Sequence, residues 1–363
     1  MPSTQNKSSA ENPSPPFKAQ RILVMRYRFI GDTILTVPFL RNLRYAAPHA
    51  KIDVLVGPQS GQVLKGCPYV DNLIEFDTTR FHKYDTGEGK KKSFLNYAFQ
   101  LRKEKYDTAF VLKRSLSSAF LSLCIGAKQR IGYSAKGRDF LLTKTAPFNQ
   151  SIHEVESTLD VLRCADIPIV DKHLEAWISD EERAELLEIA PELKGQNRLV
   201  LIHAAAAHPD KIYPTESWAE IVRSLNHNWG LTPVFSGSAT DKELYEHLEF
   251  LANVSCLNYA GRLSLRQSMA LYERVDLSIC VDSGPAHLSA AVGTPTVALF
   301  GPTDPARWRP WGEKHLAIYN DALPCRPCNY KKTCNNRECL TELSPKQVLT
   351  DVAKMLATRQ STG

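Results

Sequence analysis

The chemistry this chain can do collects at turns that join an apolar run to a helix. Leu277–Val281 and Thr296–Phe300 are two such runs, and between them stand Asp282, Ser283, Gly284 and Pro285, with His287 two residues further on. Gly284 lets the backbone approach a ligand closely. Pro285 at a first helical position fixes φ and leaves the next N–H groups pointing outward, a start that favours an anion such as phosphate. Asp282 either meets a ribose or an incoming hydroxyl, or caps the helix; His287 either reaches a phosphate oxygen or merely decorates the first turn. A second turn, Gly301-Pro302-Thr303, follows the other run. Lys211 stands just before Pro214 and Glu216, which open another helix, so it is a surface lysine or a cation set to neutralise a diphosphate. Asp32, after Gly31, occupies a similar junction near the start of the chain, where the ordinary role of an aspartate is to cap the helix.

These junctions need strands to hold them. Arg21–Met25, Lys51–Val56, residues 73–76 and residues 108–112 are short apolar runs separated by helical pattern, and residues 33–45 form a helix despite Pro38. Leu199–His203 and Thr232–Phe235 begin a second series of the same kind. Strand, helix, strand in succession predicts parallel sheets, with the turns gathered at one carboxyl edge, where ligands of α/β folds bind. The expected plan is a disordered tail over 1–20, a Rossmann-like domain over 21–175, a second over 176–345, and a final helix and tail over 346–363. With 363 residues, 43% hydrophobic and 23% charged, the chain is read as globular. No run suits a signal peptide or a membrane span, so a cytoplasmic protein is expected.

Charge is unevenly distributed. Residues 80–144 hold fifteen Lys or Arg against five Asp or Glu, a net of +10, whereas the whole chain carries +6. Such a concentration predicts an anionic partner. Nucleic acid is disfavoured, because the basic residues lack regularly interleaved aromatics and no binding motif can be read; an anionic lipid head group or a phosphorylated saccharide fits. Cys325, Cys328, Cys334 and Cys339 form C-x2-C-x5-C-x4-C, open to a structural zinc, to free thiols or to disulfides. The remaining cysteines lie in apolar settings and are read as core thiols.

R-x-x-x-x-G-D at 26–32, K-x-x-P-x-x-x-W at 211–218, and D-S-G-P-A-H-L with G-P-T-D-P across 282–305 together resemble glycosyltransferase family 9, which includes the heptosyltransferases of lipopolysaccharide core assembly. The resemblance runs from about residue 21 to past Trp311. It implies a GT-B fold, acceptor in the first domain and sugar nucleotide in the second, and inverting transfer of heptose from ADP-heptose to the inner core. It makes Asp32 the general base, Lys211 and the helix start at Gly284 the stabilisers of the leaving diphosphate, and Asp282 a positioning group. Ser283, Gly284, Pro285, His287 and Thr303 become donor contacts, Asp241 or Glu243 the ribose contact and Leu263 a base contact. Arg26, Arg28, Arg130 and Arg138 become candidates for the anionic, lipid-linked acceptor at the inner membrane surface. The chain has no D-x-D motif, so no catalytic metal is expected. Where relatives often carry Ser or Thr before the lysine, this chain has alanines over 204–207, which keeps a non-catalytic binder in view; transfer of another sugar to a cell-surface glycan and a GT-B epimerase are the other readings. In such folds the final helix often packs back onto the first domain.

Overall fold

The computed structural model describes residues 17–77, 93–195, 198–330, 334 and 336–360. Its twelve strands are β1 (Arg21–Met25), β2 (Lys51–Val56), β3 (Asn72–Glu75), β4 (Thr108–Val111), β5 (Gln129–Tyr133), β6 (Lys144–Ala146), β7 (Leu199–His203), β8 (Thr232–Phe235), β9 (Leu257–Asn258), β10 (Leu277–Val281), β11 (Thr296–Phe300) and β12 (Leu316–Tyr319). The helices are α1 (Ile30–Ile34), α2 (Val37–Ala46), α3 (Phe94–Lys103), α4 (Leu116–Cys124), α5 (Glu154–Cys164), α6 (Asp180–Ile189), α7 (Thr215–Trp229), α8 (Lys242–Ala252), α9 (Leu265–Arg274), α10 (Gly284–Ala291), α11 (Pro305–Trp308), α12 (Glu338–Thr341) and α13 (Pro345–Gln360).

The strands form two six-stranded sheets, ordered β3-β2-β1-β4-β5-β6 and β12-β11-β10-β7-β8-β9, and every pairing is parallel. The sequence explains the parallel arrangement. RILVM, LVLIH, LSICV and TVALF are apolar almost throughout, and a strand of that kind must be covered on both faces, which helical crossovers accomplish. In both sheets the chain winds outward from a central strand and then returns beside it, so the order reverses between β1 and β4 and between β7 and β10. A crevice opens at the carboxyl ends of the strands at each reversal. The two crevices face each other: a Cβ placed on Gly31 in α1 would come within 2.9 Å of the His287 ring in α10.

Three expectations are revised. The helix expected over 33–45 divides into α1 and α2, and Pro38 lies in the first turn of α2, where its missing N–H costs no hydrogen bond. The final helix packs on the second domain rather than the first: Val348 and Val352, one turn apart on α13, join the core built around Trp218, Ile221 and Leu225 of α7. Residues 1–16 of the expected tail lie outside the described residues, but Phe17 donates its N–H to Ala46 O and its ring packs 6.1 Å from Phe110. No helix among the described residues is long and apolar enough to cross a membrane.

Candidate active site

Asp32 lies in the first turn of α1, directly beyond β1. The turn is tight: Phe29, at the helix N-cap, holds φ at 55°, a left-handed conformation that is uncommon outside glycine. Asp32 does not cap this helix. Its carboxylate lies 3.6 Å from the Arg26 guanidinium, and Arg26 Nε also donates to Asp32 O at 3.3 Å. Arg26 is anchored from the opposite side, donating to Leu112 O at 2.6 Å and to Glu154 Oε1 at 2.5 Å. The second Glu154 oxygen accepts from Arg307 of α11, beyond β11 in the other domain. Glu154, buried at the start of α5, thereby links the Asp32 turn to the second domain through two guanidiniums. Burial raises the Asp32 pKa, and nearby Glu154 pushes the same way against the opposing Arg26 charge. A carboxylate so raised is a stronger base than an ordinary aspartate.

A cavity of about 180 Å³ opens beside Asp32, with Arg26, Arg28, Lys113, Arg114 and Arg307 in its walls. Lys113 and Arg114 follow β4, the strand that flanks the first crevice. Burial, with Arg28 and Arg26 adding repulsion, lowers the Lys113 pKa to about 7. Positive charge here exceeds what Asp32 and Glu154 can neutralise. A dianionic ligand would relieve it.

In the second domain the residues singled out by sequence meet. Lys211 Nζ lies 2.6 Å from Asp282 Oδ2, and Thr303 Oγ1 donates to the same oxygen at 2.5 Å. Asp282 is therefore not a helix cap. Burial works to lower the Lys211 pKa, but Asp282 and Tyr330 outweigh it and the net shift is upward, so the ammonium stays charged. Ser283 occupies the N-cap of α10, yet its hydroxyl turns back to Val281 O at 3.1 Å and makes no cap hydrogen bond. The first-turn N–H groups of α10 are left without a side-chain acceptor, as an anion site requires. His287, 4% exposed, is no surface decoration: burial lowers its pKa to about 4, and its Nδ1 has no partner among the described residues.

Other candidates are placed differently. Asp241 accepts from the Ser238 N–H and hydroxyl, both at 2.7 Å, in a capping box, while Glu243 is exposed on α8 and Leu263 is half-buried against the core. Arg28 lines the cavity. Arg138 is buried and donates to Tyr133 O, Ser115 O and Lys113 O; Arg130 donates to Leu141 O and Ala127 O. Neither Arg130 nor Arg138 lines the cavity. The alanines at 204–207 leave the backbone to act, and Ala204 N–H already donates to the Tyr245 hydroxyl at 3.2 Å.

Sequence reasoning missed Glu154, Arg307, His153 and Tyr330, and counted Lys113 and Arg114 only as charge. Lys113 carried a usable signal, since it directly follows the strand opposite β1 at the reversal point. His153 and Trp311 clamp the domains: the rings lie 4.5 Å apart, and His153 Nδ1 accepts from Val155 N–H, so Nε2 carries the proton donated to Arg309 O at 2.8 Å.

The four clustered cysteines line a second cavity of about 190 Å³ with Asp210 and Glu338. All are free thiols, and among the described residues no three ligating side chains are disposed to hold a metal ion. The segment that carries them also braces the turns after β7 and β11. Arg326 donates to Gly301 O at 2.7 Å, Asn329 N–H to Pro302 O at 2.9 Å, and Arg337 to Pro209 O at 2.9 Å.

Two Rossmann-like domains, with their loops opposed across the reversal points, define the GT-B fold. The chain belongs to glycosyltransferase family 9: the family model, described as glycosyltransferase family 9 (heptosyltransferase), matches residues 95–340. Over 340 residues the chain is 26% identical to lipopolysaccharide heptosyltransferase 3 of Escherichia coli, covering 91% of this chain and 96% of that one. The fold matches a solved glycosyl transferase family 9 protein of Veillonella parvula with a TM-score of 0.80 and 24% identity, over 93% of this chain and 97% of the other. It also matches the heptosyltransferase WaaC of E. coli, solved with ADP, at a TM-score of 0.71 and 19% identity, over 93% and 100% of the two chains.

Proposed function

We propose that this glycosyltransferase moves a heptose from ADP-heptose to an anionic, lipid-linked saccharide of the lipopolysaccharide inner core, with inversion and without a catalytic metal. The observation that carries the reading is the pairing of Asp32, beside a cavity with excess positive charge, with the Lys211–Asp282–Thr303 cluster at the open start of α10. Asp32 takes the proton of the acceptor hydroxyl as its oxygen attacks the anomeric carbon. The bond from that carbon to the diphosphate breaks, and ADP leaves with the electron pair. Lys211 and the N–H groups near Gly284 and Pro285 receive the growing charge, with His287 and Ser283 beside them, so preorganised donors do the work a cation does elsewhere. Asp282 and Thr303 hold Lys211 until the diphosphate arrives. Asp241 or Glu243 meets the ribose and Leu263 the base. Arg28, with Arg26 behind it, faces the acceptor anion, while Arg130 and Arg138, held on backbone carbonyls outside the cavity, are left out of acceptor binding. The names of the relatives and the ADP bound by WaaC support the donor; the cationic cavity supports the acceptor class. The reaction belongs at the inner face of the cytoplasmic membrane.

The test is turnover of ADP-heptose with a core acceptor in EDTA, alongside calorimetric binding of ADP, UDP and GDP. Metal-free turnover with selective ADP binding is expected. Selectivity for UDP or GDP would discard heptose and leave transfer of another sugar to a cell-surface glycan; absence of nucleotide binding would favour a non-catalytic binder. Zinc content of the purified protein tests the structural-metal expectation at the cysteine cavity.

A further inference from the structure

One face of the first domain is built unlike the rest of its surface. Leu95 and Phe99 on α3 are separated by one helical turn, as are Leu116, Phe120 and Leu123 on α4, and all five are exposed. Phe99 is 70% exposed, and Phe140, on the short turn that follows β5, is 79% exposed. The opposite sides of the two helices bury Tyr97, Ala98, Leu101, Ala119 and Leu121 in the core beneath, so the outward residues are surplus to folding. The rings of Phe94 and Phe120 stack 6.1 Å apart at 9°, which joins the two helices into one surface. From Leu116 to Cys124, α4 carries no charged side chain. A solvated helix normally turns polar residues outward.

Basic residues accompany this apolar face. Arg102 and Lys103 close α3, Arg102 donates to Cys124 O at the end of α4, and Lys105, Lys128 and Lys136, in the segments that follow α3, α4 and β5, are exposed. Residues 93–144 hold ten Lys or Arg against three Asp or Glu, a net of +7. Two copies of such a face repel when brought together, whereas an anionic bilayer accepts both its components, aromatic rings into the interface and lysines against the head groups. The face also continues into the active site. Lys113 and Arg114 line the cavity, Ser115 caps α4, and Leu116 follows, two residues and therefore less than about 8 Å of chain from Arg114.

We infer that the α3–α4 face of the first domain is a docking surface for an anionic phospholipid bilayer, which brings the cationic cavity to the level of the lipid head groups. This goes beyond the proposed reaction, because it concerns the bilayer itself and holds whichever sugar is moved.

The test is flotation of the full-length protein with vesicles of phosphatidylcholine alone or mixed with phosphatidylglycerol. Binding is expected only to the vesicles containing phosphatidylglycerol, weakened by added salt. A Phe99→Ser, Phe120→Ser double variant should lower the bound-to-free ratio by about tenfold or more while ADP binding is unchanged. If that variant does not fold, Lys103→Glu with Lys128→Glu carries the test, with the same loss expected. Absence of wild-type binding to anionic vesicles overturns the inference. So does wild-type-like vesicle binding by a folded Phe99→Ser, Phe120→Ser variant, or a wild-type dimer that this variant converts to monomer without any vesicle binding. Failure of the proposed reaction would instead show as loss of ADP binding or turnover in solution, and vesicle binding does not depend on either.

Discussion

The two facing crevices solve opposite electrostatic problems. In the second domain a lysine is matched by an aspartate and a threonine hydroxyl, so the cluster is neutral and held together by its own side chains. In the first-domain cavity five cations share two carboxylates, and burial, with Arg28 and Arg26 adding repulsion, lowers the Lys113 pKa to about 7. The second-domain cluster thus holds its cation on a partner of opposite charge, which under the proposed reaction the diphosphate displaces. The first-domain cavity is underneutralised, which under the same proposal suits an anionic acceptor. Glu154 joins the two by accepting from an arginine of each domain.

The largest expected effect comes from removing the base. Asp32→Asn should lower kcat about 10³-fold or more and leave ADP affinity unchanged, because under the proposed reaction the carboxylate serves the acceptor proton and not the nucleotide. A variant that keeps its rate would remove Asp32 from the mechanism. Lys211→Met should cost about 10²- to 10³-fold in kcat and also weaken ADP, the double loss marking it as a donor-side group. Unchanged ADP binding would move Lys211 out of the diphosphate site.

Glu154→Gln leaves two buried guanidiniums without their shared carboxylate and should lower stability by about 3 kcal/mol, readable as a drop in the denaturation midpoint. A midpoint equal to that of the wild type would show that the bridge between the domains contributes nothing.

The smallest effect is in the pH profile. Asp32 must be ionised to accept a proton, so activity rises with pH through a pKa displaced above the ordinary carboxylate range. Lys113 is protonated below its pKa, so kcat/KM for an anionic acceptor should fall as pH climbs through about 7, and Lys113→Met should abolish that falling limb. A basic limb that survives in Lys113→Met would assign it elsewhere. Within the site, Asp32, Asp282 and Thr303 were legible because each stands in a short motif after an apolar run, and Lys211 because it precedes a helix start. Glu154 was not. In the stretch HEVEST it reads as a solvated first-turn carboxylate, and its partners lie 128 and 153 residues away.

Strand composition, turn chemistry and helix starts are local properties, and they were sufficient to specify two parallel α/β domains and the loops at the carboxyl ends of their strands. The direction in which a charged side chain points is not local. Arg130 and Arg138, expected to bind the anionic acceptor, turn to backbone carbonyls, whereas Lys113 and Arg114 from the same stretch face the cavity. The side on which α13 packs, the bracing of the turns after β7 and β11 by the cysteine segment, and the clamp from His153 to Trp311 likewise follow from how distant surfaces meet. Each depends on the desolvation of groups far apart in the chain, a quantity set only when the two domains close on one another.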